Sequence, residues 1–138
     1  MNTHQIVANY EKGLAFSVKI DQYKLGIDTT SEESVGFGPS PKKLLLAGLA
    51  GCTGIDIVSI LNKMHVNFSD FDIEVNAHLT DEHPTYYDEV MITYRIKIAE
   101  TDQSKMERAV QLSMEKYCGV SAMFEKFAKL SHQIDFIK

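Results

Sequence analysis

The chain has 138 residues, is 44% hydrophobic and 24% charged, and carries a formal net charge of −5. These values describe one globular domain spanning 1–138, and the acidic balance argues against nucleic acid as a partner. Residues 1–13, MNTHQIVANYEKG, contain no basic region followed by an apolar core, so no secretion signal is expected. A cytoplasmic location follows, in which the two cysteines, Cys52 and Cys118, stay reduced.

In chain order, residues 5–28 carry strand signals. Leu14, Phe16, Val18 and Ile20 alternate with Ala15, Ser17, Lys19 and Asp21, and Tyr23, Leu25 and Ile27 with Lys24, Gly26 and Asp28. Period-two alternation predicts strands with one dry and one wet face, the larger apolar set facing inward. Lys12-Gly13 and Asp21-Gln22 suit tight turns, giving three antiparallel strands. Thr29 to Gly38, TTSEESVGFG, has loop composition.

A helix is predicted from Pro39 to Leu61, with Ser40 as N-cap and Pro41 in the first helical position. No charged residue occurs from Leu44 to Ile55, and a helix apolar all round belongs inside a protein. Three glycines and Asp56 interrupt the run, leaving its apolar part short of the roughly 20 residues a bilayer demands. No membrane span is therefore expected. Gly48, Gly51, Cys52, Ile55, Asp56 and Ser59 share one small, partly polar stripe, which is the candidate site. Gly48, Gly51 and Gly54 would let a second copy of the helix approach closely, so a homodimer is expected.

Two alternating strands follow, one carrying Phe71, Ile73, Val75, Ala77 and Leu79, the other Val90, Ile92, Tyr94, Ile96 and Ile98. TDEHPTYYDE joins them as a hairpin loop. Thr101 or Asp102 starts a helix to about Tyr117, with Met106, Ala109, Val110, Ser113, Met114 and Tyr117 on its inner face. Cys118-Gly119 ends it. A short helix, Ser121 to Lys129, points Met123, Phe124 and Phe127 inward, and Leu130 to Ile137 closes the chain as a strand. Grouped strands and helices in the order βββαββααβ indicate an α+β fold.

The residues alone leave the thiols open between buried structural cysteines, a metal pair and a redox pair. Asp56, one helical turn beyond Cys52, opposes thiolate formation unless a cation is near. No C-x-x-C occurs, and His4, His65, His78, His83 and His132 have no partner at ligand spacing, so no metal is expected. G-L-A-G-C-T-G lies inside a helix rather than between strand and helix, so no nucleotide cofactor is expected either.

Two segments carry a resemblance. Residues 36–62, GFGPSPKKLLLAGLAGCTGIDIVSILN, and 107–124, ERAVQLSMEKYCGVSAMF, resemble the OsmC/Ohr family of peroxide-defence proteins, most closely its YhfA-like branch. The resemblance implies an intertwined α+β homodimer, with curved antiparallel sheets around long central helices. It implies that a thiolate at Cys52 attacks an organic hydroperoxide and that Cys118 resolves the sulfenic acid as a disulfide. An external dithiol then restores both thiols. Two positions depart from the peroxidase members: Lys42 stands where they usually carry Glu, and this chain has no Arg before Arg95. Lys19, Lys24, Lys42 or Lys43 would supply positive charge without the planar fork of Arg. The alternative functions are therefore a redox sensor on the same scaffold, or a non-enzymatic binder of small apolar ligands.

Overall fold

The computed structural model describes residues 2–138. The chain divides into two compact units, Met1–Leu45 and Leu46–Lys138. The first holds an antiparallel meander of β1 (Val7–Lys12), β2 (Ala15–Ile20) and β3 (Tyr23–Ile27). Gly13 (φ 54°) and Asp21 (φ 55°) turn the chain in the left-handed region. The faces of β2 are only partly those expected. Ala15, Ser17 and Val18 are buried, whereas Leu14, Phe16 and Ile20 are exposed. Alternation tells which residues share a face, not which face is covered. The outer face keeps an edge-on aromatic pair, Tyr10 and Phe16, with centroids 5.7 Å apart.

Loop 28–40 folds around one carboxylate. Asp28, 2% exposed, accepts the backbone N–H groups of Thr29 (2.7 Å), Val35 (3.0 Å) and Phe37 (3.1 Å). Its own N–H donates to Pro39 O at 3.0 Å. Gly26 and Gly38 pass so close, backbone to backbone, that neither position has room for a Cβ.

The long helix, α1 (Pro41–Lys63), has 23 residues. It is two residues longer than expected at its C-terminus, and an 18-residue window reaches a mean hydropathy of 2.0. By length and composition it is therefore long and apolar enough to cross a membrane, contrary to the sequence estimate. Its buried stripe is Leu49, Thr53, Ile57 and Leu61, at four-residue spacing. Gly54 faces its own chain: a Cβ there would meet Ile73 Cδ1 at 2.9 Å. Gly48 and Gly51 look onto open space, beside Ile55, which is 73% exposed.

The second unit also holds a three-stranded sheet under α1. Its order is β4 (Phe68–Leu79), β5 (Tyr87–Ile98) and β6 (Lys129–Ile137). β4 and β5 are antiparallel, but β5 and β6 run parallel, so this sheet is mixed rather than antiparallel throughout. Val90, Ile92, Tyr94 and Ile96 of the central strand pack with Leu49, Ile57 and Leu61. A register shift between His78 and Leu79 turns Leu79 out of the dry face expected for it. Between β5 and β6 come α2 (Gln103–Leu112), a wider π-type turn (Ser113–Tyr117) and α3 (Gly119–Phe124). Met106, Ala109, Val110 and Ser113 face the core as expected. Tyr117, Met123 and Phe127 do not: the π-type turn rotates the chain after Ser113, and α3 stops at Phe124, five residues early.

Candidate functional site

The two cysteines lie 66 positions apart in sequence, and the second unit brings them together. The sulfur atoms of Cys52 and Cys118 and a carboxylate oxygen of Asp56 all lie within 4.8 Å of one another. α1 supplies Cys52 and Asp56 from successive turns, where residues four apart are surface neighbours. Both are half-buried, and Cys118 is 4% exposed. Neither thiol is in a disulfide.

The π-type turn delivers Cys118. Its N–H bonds to Ser113 O at 2.7 Å, five residues back, and the backbone then turns extended at φ −79°, ψ 100°. That extended residue caps α3. The sulfur accepts the N–H of Ser121 at 3.3 Å, and Ser121 Oγ donates to the carbonyl of Cys118 at 2.9 Å. Burial pushes the Cys118 thiol above its ordinary range, and the neighbouring Cys52 adds to this. The Ser121 hydrogen bonds act against the rise.

A file of hydroxyl groups stands behind the thiols. Thr53 Oγ1 lies 2.8 Å from Tyr94 OH and 2.8 Å from Ser113 Oγ, and Ser113 Oγ donates to Asp56 Oδ2 at 3.0 Å. Thr53, Ser113 and Tyr94 are all fully buried. Each hydroxyl has one hydrogen, and a carboxylate only accepts. Ser113 spends its hydrogen on Asp56, so it must accept from Thr53, and Thr53 in turn accepts from Tyr94. The polarity runs Tyr94 to Thr53 to Ser113 to Asp56. Burial pushes the Tyr94 hydroxyl up to about 12, against the lowering effect of the Thr53 hydrogen bond. Sequence reading placed Ser113 on the inner face of its helix and treated Tyr94 as core. The available signal was a hydroxyl in the middle of an apolar stripe at Thr53, since buried polar groups find partners.

The cationic side chains of the second unit are occupied elsewhere or exposed. Arg95, the first arginine of the chain, binds Asp72 (2.9 Å) and Glu74 (2.6 Å) on the outer face of the sheet. Asp56 takes part in none of the ion pairs among the described residues. A groove of about 500 Å³ opens beside Asp56, lined also by Ser59, Ile60, Lys63, Met64, Leu112 and Tyr117. The expectation of no ligand grouping rested on spacing along the chain. Folding nevertheless gathers three side chains of metal-ligating type at one point. His78 and His132 sit on exposed strand positions, and His78 Nδ1 contacts Asp88 Oδ1 at 2.8 Å.

This geometry can be set beside known proteins. The family described as OsmC-like protein matches residues 31–133. Protein YhfA of Escherichia coli (strain K12) is 30% identical over 99 residues, covering 72% of this chain and 74% of that protein. A hypothetical protein from Aquifex aeolicus VF5 has a crystal structure that superposes with a TM-score of 0.82 at 26% identity, over 100% of both chains. The organic hydroperoxide resistance protein OhrB of Bacillus subtilis shares the fold, with a TM-score of 0.68 at 19% identity over 97% of this chain and 98% of that one. With three quarters of its length matched and a relative at this identity, the chain belongs to the OsmC-like protein family.

Proposed function

We propose that the protein reduces organic hydroperoxides, with Cys52 as the attacking sulfur and Cys118 as the resolving one. The observation that carries this reading is the meeting of two reduced sulfurs within 4.8 Å, the more accessible one on α1 and the other buried. An attacking thiol must be reached by substrate, whereas a resolving thiol has only to reach its partner. The Cys52 thiolate displaces an alkoxide from the hydroperoxide by taking its distal oxygen, and the alkoxide leaves as the alcohol after gaining a proton. The resulting sulfenic acid condenses with the Cys118 thiol, forming a disulfide and releasing water. An external dithiol reduces the disulfide, and two electrons pass from it to the peroxide in each cycle. Ile60, Met64 and Leu112 of the groove beside Asp56 offer apolar surface to the alkyl or aryl group of a hydroperoxide.

The working form in this reading is a single OsmC-like domain paired as an intertwined homodimer in the cytoplasm. Exposed Ile55 and the open faces of Gly48 and Gly51 would form the helix seam, and Phe16 and Ile20 further contact surface. The apolar length of α1 then serves helix pairing instead of a bilayer. Sedimentation at micromolar concentration should give a dimer, and a pure monomer would remove this part. The competing redox-sensor reading draws on one observation, that among the described residues no cation pairs with Asp56 to favour a thiolate beside it.

The test is turnover of cumene hydroperoxide with excess dithiol. Wild type should turn over, Cys52→Ser should fall to the background rate, and Cys118→Ser should consume one equivalent and stop. Turnover retained in Cys52→Ser would refute the assignment. One slow equivalent in wild type, with no cycling, would favour the sensor.

A further inference from the structure

We propose that Cys52, Asp56 and Cys118 together bind a single thiophilic divalent cation of the zinc type. The inference uses the same three side chains as the peroxide reading but does not depend on peroxide chemistry. Their ligand atoms lie within 4.8 Å of one another. In a tetrahedral zinc site, metal–sulfur bonds of about 2.3 Å and metal–oxygen bonds of about 2.0–2.2 Å put neighbouring ligand atoms about 3.5–3.8 Å apart. Side-chain rotation of about 1 Å closes that difference.

The way the ligands are supplied fits a metal site. Cys52 and Asp56 come from successive turns of one rigid helix, and Cys118 from a cap fixed by a backbone bond to Ser113. Two ligands four residues apart on a helix plus a third from a distant segment is a recurrent plan for zinc. Two sulfurs and one carboxylate oxygen select zinc-like ions over magnesium or calcium. The supporting contacts are also present. Ser113 holds Asp56 Oδ2, which leaves Oδ1 free to turn toward a metal, and Thr53 and Tyr94 hold Ser113. Ser121 N–H holds the Cys118 sulfur. Such outer contacts orient ligands and are part of a working site.

Charge points the same way. Asp56 carries one negative charge that no ion pair among the described residues offsets, and each thiol adds another as it loses its proton to the metal, three in all. A dication reduces the sum to one. Three protein ligands leave a fourth position for water. Binding moves no electrons: each thiol releases its proton to solvent as its sulfur–metal bond forms. While the metal is bound, neither sulfur is free to attack a peroxide, so metal loading and oxidation exclude each other.

The experiment titrates the reduced, full-length, chelator-treated protein with cadmium, read by sulfur-to-metal charge transfer in the ultraviolet, and with zinc by calorimetry. One cation per chain is expected, with the charge-transfer band present. Cys52→Ser and Cys118→Ser should each weaken the band and the affinity, and Asp56→Asn should lower affinity by at least the roughly 10-fold that loss of an outer contact costs. Equimolar zinc should also protect the accessible wild-type Cys52 thiol from alkylation, which needs no variant to fold. No charge-transfer band, no protection, or equal affinity in wild type and Asp56→Asn would overturn the proposal. Metal binding by a protein whose metal-free form leaves hydroperoxide untouched would sustain this site while the peroxide reading fails; thiol oxidation without metal binding would do the reverse.

Discussion

The two units each hold an aspartate away from bulk solvent, and they treat it in opposite ways. Asp28 receives three backbone N–H groups, and its neighbourhood contains no reactive atom. Led by the Phe37 amide, these hydrogen bonds hold its carboxyl below the ordinary 3.8, although burial pushes the other way. Asp56 accepts one hydroxyl hydrogen, from Ser113, and faces two sulfurs. A carboxylate whose acceptor sites are filled by the backbone fastens a loop. One that is filled on a single oxygen and set beside thiols has capacity left for chemistry. The contrast separates a structural acid from a functional one by its partners: Asp28 is buried and Asp56 half-buried.

The largest effect that would sharpen this contrast is on reactivity. Cys52→Ser should abolish hydroperoxide-dependent loss of thiols, while Asp28→Asn should leave its rate unchanged in a folded protein. A rate change in Asp28→Asn equal to that in Cys52→Ser would break the division between the two acids.

The next effect is on stability. Thr53→Val keeps the shape of the side chain but removes the middle of the hydroxyl file, leaving Tyr94 and Ser113 each short of a partner. The cost should be about 1–3 kcal/mol in urea unfolding, with an unchanged slope. A neutral result would show that the file is not the support of Asp56.

How far the sequence foretold these regions can be judged residue by residue. Pro41 marked the start of α1, and the apolar alternation of β4 and β5 marked the core sheet. Cys52 and Cys118 were singled out, yet no local pattern states that they meet, because contact across distant segments is made by the sheet and helix packing between them. The hydroxyl file was hidden for the same reason, with Thr53 separated from Tyr94 by 41 positions and from Ser113 by 60. The π-type turn was also invisible, since an α-helix and one with an extra residue per turn accept the same amphipathic sequence. In β2 the strand was right but the covered side only in part, since Val18 is buried as expected while Ala15 and Ser17 are buried in place of Leu14, Phe16 and Ile20.

Smaller effects test the electrostatics. Asp56→Asn removes a negative charge beside the thiols and should speed alkylation of Cys52 several-fold by iodoacetamide, with little loss of stability. A slower reaction would mean that Asp56 assists the thiol instead. For Asp28 the sign is fixed by its lowered pKa: its stabilisation is complete above 3.8 and is lost as pH falls through the lower folded value. Acid titration of wild type against Asp28→Asn should show this difference shrinking only at the acid end, and a difference that shrinks near neutral pH would contradict it.

The smallest effect is at the surface. The hydrogen bond and charge of Asp88 raise the His78 pKa above 6.5, so the pairing is present below that value and fades as pH rises through the folded one. In Asp88→Asn the His78 midpoint, followed by nuclear magnetic resonance, should move down, while thiol reactivity stays constant.

The most direct test of the central claim is peptide mapping by mass spectrometry of the reduced protein after one equivalent of cumene hydroperoxide. The account predicts a peptide pair joined by a Cys52–Cys118 disulfide within one chain, formed in wild type and absent in Cys52→Ser. Two free thiols after complete consumption of the peroxide, or a disulfide only between chains, would contradict it.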